Sequence, residues 1–406
     1  MRLVFSGATL IDGRGGRPIA NAEVVVEADR IMAVGSAGEL PDQGDARFIN
    51  LTGKYLLPGF INAHDHLTTK RLRGSRTDRA SADDALMVAR GIQNALVNLR
   101  EGVTTVRDAG APRGLSLSLK SAITSSDIVA PLILAAAQGL TETAGYAHEI
   151  FVEVDTPLEA KKATGVMIKR GADFIKCMAS IEWGHAEGEP LSTVNMDVAT
   201  MRAAFDLAHH HSRRCMAHAL CDEAIANAVE AGADTIEHGV FLSAATAKNM
   251  SKRGVGLVPT LSGYKELRND WGRGQGIMRQ SAKLVEHHKV GFRNALDAGV
   301  TLAFGSDSLG NLMDECSTMQ EWGMTPMQCI EAITRNAAIL LGIDDRVGII
   351  AAGRTADLVV LDSDPISNIA ALGEVELVVK SGRLIDPARL PIKFPGGAVL
   401  STAPGE

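Results

Sequence analysis

Two histidines separated by one residue, His64 and His66, close the run Pro58-Gly59-Phe60-Ile61-Asn62-Ala63-His64-Asp65-His66. On an extended strand, residues two apart point to the same side, so both imidazoles can face one metal ion. A lone His-x-His pair arises by chance in a chain with 11 histidines, so its meaning depends on further ligand types at comparable positions. Such residues recur. Lys176 is embedded in Phe174-Ile175-Lys176-Cys177-Met178, His218 in Met216-Ala217-His218-Ala219, His238 in Thr235-Ile236-Glu237-His238-Gly239, and Asp307 follows Phe304-Gly305-Ser306. Each sits in or just after a short apolar run.

Those runs are the elements that must position the ligands. Apolar segments at residues 60–66, 103–107, 131–137, 173–178, 215–219, 234–238, 256–261 and 301–305 alternate with longer segments of helical character. Thr156-Pro157-Leu158-Glu159 and Thr325-Pro326-Met327-Gln328 read as capping boxes with proline at the first helical position. Gly102, Gly171, Gly232, Gly254 and Gly299 stand where helices end just before a strand. Eight strands alternating with helices over this length predict an α/β fold, a (β/α)8 TIM barrel. A doubly wound sheet is disfavoured because no Gly-x-Gly-x-x-Gly follows the first strand. In such a barrel, chemistry collects at the strand ends, where four histidines, a lysine and an aspartate are expected to converge.

Lys176 carries its own argument. An ammonium buried among apolar neighbours is costly, and metal charge nearby adds to the cost. A neutral amine can add carbon dioxide and become a carbamate, an oxygen donor able to bridge two cations. The alternative is a lysine that snorkels its head to water or a carboxylate.

Short alternating strands at residues 1–57 and again after residue 343 predict a small discontinuous β-sandwich built from both termini. The expected organisation is residues 1–57, first part of the sandwich; 58–343, barrel; 344–406, second part and C-terminal tail. An apolar fraction of 46% and a charged fraction of 22% are those of a globular protein. A net charge of −7 argues against nucleic acid or anionic membrane as partner, and no apolar run approaches a transmembrane span. Gly7 and Asp12 interrupt any signal-peptide core, and the five cysteines contain no Cys-x-x-Cys pair, so a cytoplasmic chain without disulfides is expected. A homo-oligomer is expected from base rates alone.

The motifs around His64, Lys176, His218, Glu237-His238 and Ser306-Asp307, with the closing Ala352-Gly353-Arg354-Thr355-Ala356-Asp357-Leu358-Val359-Val360-Leu361-Asp362, resemble the amidohydrolase superfamily over essentially the whole chain. The strand-four segment is most similar to its imidazolonepropionase-like and prolidase-like branch. The resemblance implies that His64, His66 and Asp307 hold one divalent ion and that His218 and His238 hold a second. Carbamylated Lys176 and a hydroxide would bridge them. Zn²⁺ suits these ligands, with Mn²⁺ or Co²⁺ as alternatives. Hydroxide attack on a scissile amide, with Asp307 shuttling the proton to the leaving amine, is the implied mechanism. The implied substrate is a small molecule, a dipeptide or N-acyl amino acid. Runner-up readings are a cyclic amide, urea, carbamate or related xenobiotic, and then a non-catalytic barrel scaffold.

Substrate contacts are expected from loops. Tyr146 or His148 could donate to the substrate carbonyl, with His148 preferred, and Tyr264 could stabilise the tetrahedral oxyanion. Trp183 and His185 are candidate pocket residues, and Arg71, Arg73 or Arg268 could bind a substrate carboxylate. His209-His210-His211 and His287-His288 are set aside, because consecutive residues on a helix fan around its axis.

Overall fold

The computed structural model describes residues 2–40, 44–69, 83–181, 192–266 and 275–392. Strands β1 (Arg2–Leu10), β2 (Ile19–Glu27), β3 (Arg30–Ser36), β4 (Arg47–Asn50) and β5 (Tyr55–Pro58) come from the start of the chain. They share one eight-stranded sheet with β15 (Leu358–Leu361), β16 (Val375–Lys380) and β17 (Arg383–Ile385) from its far end. The join is the antiparallel pairing of β5 with β15, Leu57 opposite Val359 and Leu56 opposite Val360.

Alternation along these strands separates two cores. Leu3, Phe5, Val24, Val26, Leu56, Leu358 and Val360 form one cluster on one side. Leu57, Val359 and Leu361 belong to the barrel cluster on the other. Side chains one residue apart on a strand point to opposite faces, so the sheet seals its own interior and plugs onto the barrel with the same strands. Gly59 then leads directly from β5 into β6 (Phe60–Asp65), the strand that carries the histidine pair.

The barrel strands are β6, β7 (Val103–Asp108), β8 (Leu132–Ala135), β9 (Gly139–Thr141), β10 (Val152–Glu153), β11 (Phe174–Met178), β12 (Arg214–Ala219), β13 (Thr235–His238) and β14 (Gly256–Val258). Their ladders are parallel. Single backbone bonds join the two sheets. Asp173 N donates to Ala135 O at 2.9 Å, linking β8 to the start of β11. On the other side Leu257 N donates to Thr301 O (2.9 Å), Ala63 N to Phe304 O (2.8 Å) and Ser306 N to His64 O (2.9 Å). The segment expected as an eighth strand thus lies between β14 and β6, with Leu302 forming an isolated bridge to Leu257. The third expected strand, 131–137, is realised as β8, and past Ala137, whose φ is 66°, the chain forms a further short strand, β9. β11 to β14 are buried almost throughout, as strands covered on both faces must be.

Between the strands, both predicted capping boxes are present at Thr156/Glu159 and Thr325/Gln328. Gly171 and Gly232 end their helices at φ 99° and 104°, a left-handed conformation that disfavours a β-carbon. Among the described residues no helix is long and apolar enough to cross a membrane, and all five cysteines are free thiols.

Candidate active site

The strand ends bring the predicted ligands together. His64, His66, Lys176, His218, His238 and Asp307 line one pocket with Tyr146, Phe151 and Met178. His64 Nε2 lies 3.5 Å and His66 Nε2 3.7 Å from Asp307 Oδ1, and donor atoms of these three residues lie within 4.8 Å of one another. The second pair of imidazoles adjoins them: the ring of His238 is 4.6 Å from that of His218 and 5.1 Å from that of His64. Asp307 (φ 47°), His238 (φ 74°) and Thr260 (φ 55°) all hold left-handed backbone conformations without being glycine, a strain that folds retain chiefly at functional positions.

Hydrogen bonds behind the rings fix which nitrogen faces inward. His64 Nδ1 is 2.7 Å from Glu237 Oε2, and His66 Nδ1 is 2.7 Å from the Gly110 carbonyl. Both partners only accept, so each Nδ1 carries the proton. His238 Nδ1 is 2.7 Å from Thr260 Oγ1, whose own proton goes to Pro259 O at 2.7 Å, so this ring too donates from Nδ1. Three Nε2 lone pairs are thereby turned toward the pocket, the outer-shell arrangement of metal-ligating histidines.

The donor set fits a cation. His64 Nε2 is buried without a hydrogen-bond partner among the described residues and faces a carboxylate oxygen, which is repulsive unless positive charge lies between them. A proton is disfavoured in that role. Burial pushes the pKa of His64 well below its usual value, and the positive charges of Lys176 and Arg107 push it further. Burial does the same to His238, helped by His218, His64 and Lys176. Neutral imidazoles and a carboxylate suit a divalent transition metal. Lys176 is 1% exposed, with its Nζ 5.8 Å from the centre of the Phe151 ring.

A second layer of buried polar residues holds the ligands, and its roles are not apparent from the ligand motifs. Glu237 Oε1 accepts from Arg107 Nη2 at 2.8 Å and from Thr235 Oγ1 at 2.6 Å. Burial raises the Glu237 pKa, and Arg107 pulls it back. Asp65 accepts from Asn98 Nδ2 (3.0 Å) and from the backbone amide of His66 (2.8 Å), while Asn62 donates to Ser306 Oγ at 2.9 Å. His288, set aside in the sequence, is fully buried and bonds the His238 carbonyl through Nε2 at 2.9 Å. One sequence signal was available for Glu237 and Arg107: a charged residue inside an apolar strand must find a buried partner.

The loop residues fall differently. The side chain of His148, preferred from the sequence, is half exposed and lies 3.8 Å from the Glu153 carboxylate. Tyr146 is the one that reaches the pocket, stacked on His218 with ring centres 4.8 Å apart and planes at 21°. Left-handed residues at Ala144 and Ala147 turn the loop so that these neighbouring side chains part. Tyr264 is 2% exposed and its ring is 5.6 Å from His238. It rides on the short helix Leu261–Glu266, whose first amides, of Leu261 and Ser262, donate to the buried Glu315 at 2.8 and 2.6 Å. Trp183, His185, Arg71, Arg73 and Arg268 lie outside the described residues. His209, discounted as a ligand, instead meets Asp234 at 2.8 Å just ahead of β13.

A strand-end metal site of this kind on a barrel defines a hydrolase class, and the chain belongs to the amidohydrolase family, whose model matches residues 55–385. It is 27% identical to ochratoxinase from Aspergillus niger over 94% of this chain and 86% of that protein. Among solved structures it resembles a prolidase complexed with N-methylphosphonate-L-proline (TM-score 0.87, 28% identity, 95% of this chain and 100% of that one). It also resembles a Xaa-Pro dipeptidase with methionine bound in its active site (TM-score 0.86, 26% identity, 95% and 100%). The protein is therefore an enzyme, a metal-dependent amidohydrolase acting on a small molecule.

Proposed function

We propose that the protein hydrolyses a small amide, a dipeptide or N-acyl amino acid, at a centre of two divalent ions, Zn²⁺ in the first instance, bridged by carbamylated Lys176. The observation that carries this reading is the turning of three imidazole Nε2 lone pairs toward one pocket that also holds His218, Lys176 and Asp307. His64, His66 and Asp307 would hold one ion, and His218 and His238 the other. When bound, the ions supply an acidified water and polarise the substrate carbonyl. Buried at 1% exposure, Lys176 as an ammonium would add positive charge to a site built for cations, whereas its carbamate would supply oxygens to them.

The chain's own groups would do the rest. The Asp307 carboxylate takes the proton of the attacking water and passes it to the leaving amine. Tyr146, over His218, would donate its hydroxyl to the substrate carbonyl oxygen, and Tyr264, its ring 5.6 Å from that of His238, would be a second donor for developing negative charge. The Glu237–Arg107 pair keeps His64 in one tautomer throughout.

Likeness to the prolidase and to the Xaa-Pro dipeptidase supports a dipeptide. Similarity to ochratoxinase supports a bulkier, non-peptide amide as the alternative. A panel of dipeptides, including Xaa-Pro, with N-acyl amino acids and aryl amides decides between them. Turnover confined to the aryl amides would overturn the dipeptide reading.

A further inference from the structure

At the opposite end of the barrel from the metal ligands, where β11 and β12 begin, a recess of about 250 Å³ is lined by Arg107, Arg213, Arg214 and Arg346. Among the described residues Asp173 is the one carboxylate in its lining, and that carboxylate is already claimed by Lys120 Nζ at 2.6 and 2.7 Å and by the Ala135 amide at 2.8 Å. The recess thus gathers four arginines around one carboxylate that is already engaged.

Its guanidinium groups are not all accounted for by the fold. Arg107 is spent on Glu237, Thr235 and the Ala63 carbonyl, and Arg214 pairs with Asp234 at 2.6 Å. Arg346 is half exposed, and among the described residues its one ion pair is a 3.8 Å approach to the adjacent Asp345. Arg213 Nε is buried and has no hydrogen-bond partner among the described residues. A buried donor left unmade costs on the order of 1–3 kcal/mol, so it calls for an acceptor. Planar guanidinium forks match tetrahedral oxyanions, and concave walls concentrate the field.

We propose that this recess is a binding site for a small multivalent oxyanion of the phosphate type, held by Arg213 and Arg346 with Arg214 at its side. It lies away from the catalytic pocket, so occupancy does not compete for the metal ligands, and the proposal stands independently of the substrate assignment.

The test is calorimetric titration of the metal-loaded protein with inorganic pyrophosphate at constant ionic strength, for wild type, Arg346→Gln and the double variant Arg213→Gln/Arg346→Gln. Saturable binding at one site per chain is expected, weakened severalfold in the single variant and at least tenfold in the double. Absence of saturable binding, or equal binding in the variants, overturns the proposal, since pyrophosphate on the catalytic metals would survive both substitutions. Should the double variant fail to fold by circular dichroism, Arg346→Gln decides alone, because its side chain is half exposed.

Discussion

Glu237 holds His64 through a 2.7 Å contact between Oε2 and Nδ1, and both side chains are fully buried. Its other oxygen accepts from Arg107 at 2.8 Å. A metal ligand is thus oriented by a carboxylate that is itself clamped by a buried cation. Replacing Glu237 with Gln removes the charge that keeps the proton on Nδ1. Metal affinity and kcat should fall by about 10- to 100-fold, the usual scale for such outer partners, and metal titration with steady-state kinetics would show it. Unchanged affinity would mean that His64 is oriented by packing alone.

Tyr146 and His148 are separated by the geometry of one loop. Tyr146→Phe should lower kcat/KM by about a hundredfold on the preferred amide, with metal content intact, if the hydroxyl meets developing negative charge. His148→Ala should leave kcat/KM unchanged, because the ring is half exposed beside Glu153. The reverse order would restore His148 to the site.

Acid should act on the fold through His288, whose pKa burial pushes down to about 4 from 6.5. A histidine with a lowered folded pKa binds fewer protons folded than unfolded. Its contribution is intact above the unfolded value and is lost as pH falls from 6.5 toward about 4. The slope within that window approaches about 1.4 kcal/mol per pH unit. Glu315, pushed up to about 7 by burial, acts in the opposite sense, its contribution being lost as pH rises through that value. Comparing wild type with His288→Gln isolates the histidine. Denaturant unfolding should show a flatter acid limb in the variant, and parallel limbs would refute it.

Chelation should also destabilise the protein, since inward-facing lone pairs and Asp307 repel one another without a cation between them. At free metal a hundred times the dissociation constant, binding to the folded state adds about 2.7 kcal/mol. Melting temperature should drop on dialysis against chelator and return with Zn²⁺. Insensitivity to both steps would separate the site from folding.

Much of the frame was legible in the sequence for identifiable reasons. Period-two spacing gave His64 and His66 a common side, glycines marked where helices end before strands, and the capping boxes at Thr156 and Thr325 began helices as expected. The partners of those ligands were less legible, because Glu237 and Arg107 reach His64 from other strands, across more than a hundred residues in the case of the Arg107–Glu237 bond. Register around a barrel is not written in any one strand. The loop side chains failed for another reason: left-handed backbone at Ala144 and Ala147 breaks every simple periodicity, and with it the choice between Tyr146 and His148. His288 misled because consecutive helical histidines diverge, which excludes a shared ligand role but permits one of them to face inward.

The measurement that bears most directly on the bridged metal centre is metal content per chain for wild type and Lys176→Ala, with amide hydrolysis followed in parallel. The prediction is about two divalent ions per wild-type chain, with both metal and activity lost in the variant. One ion or none in the wild type, unaffected by removing the Lys176 amine, would contradict it.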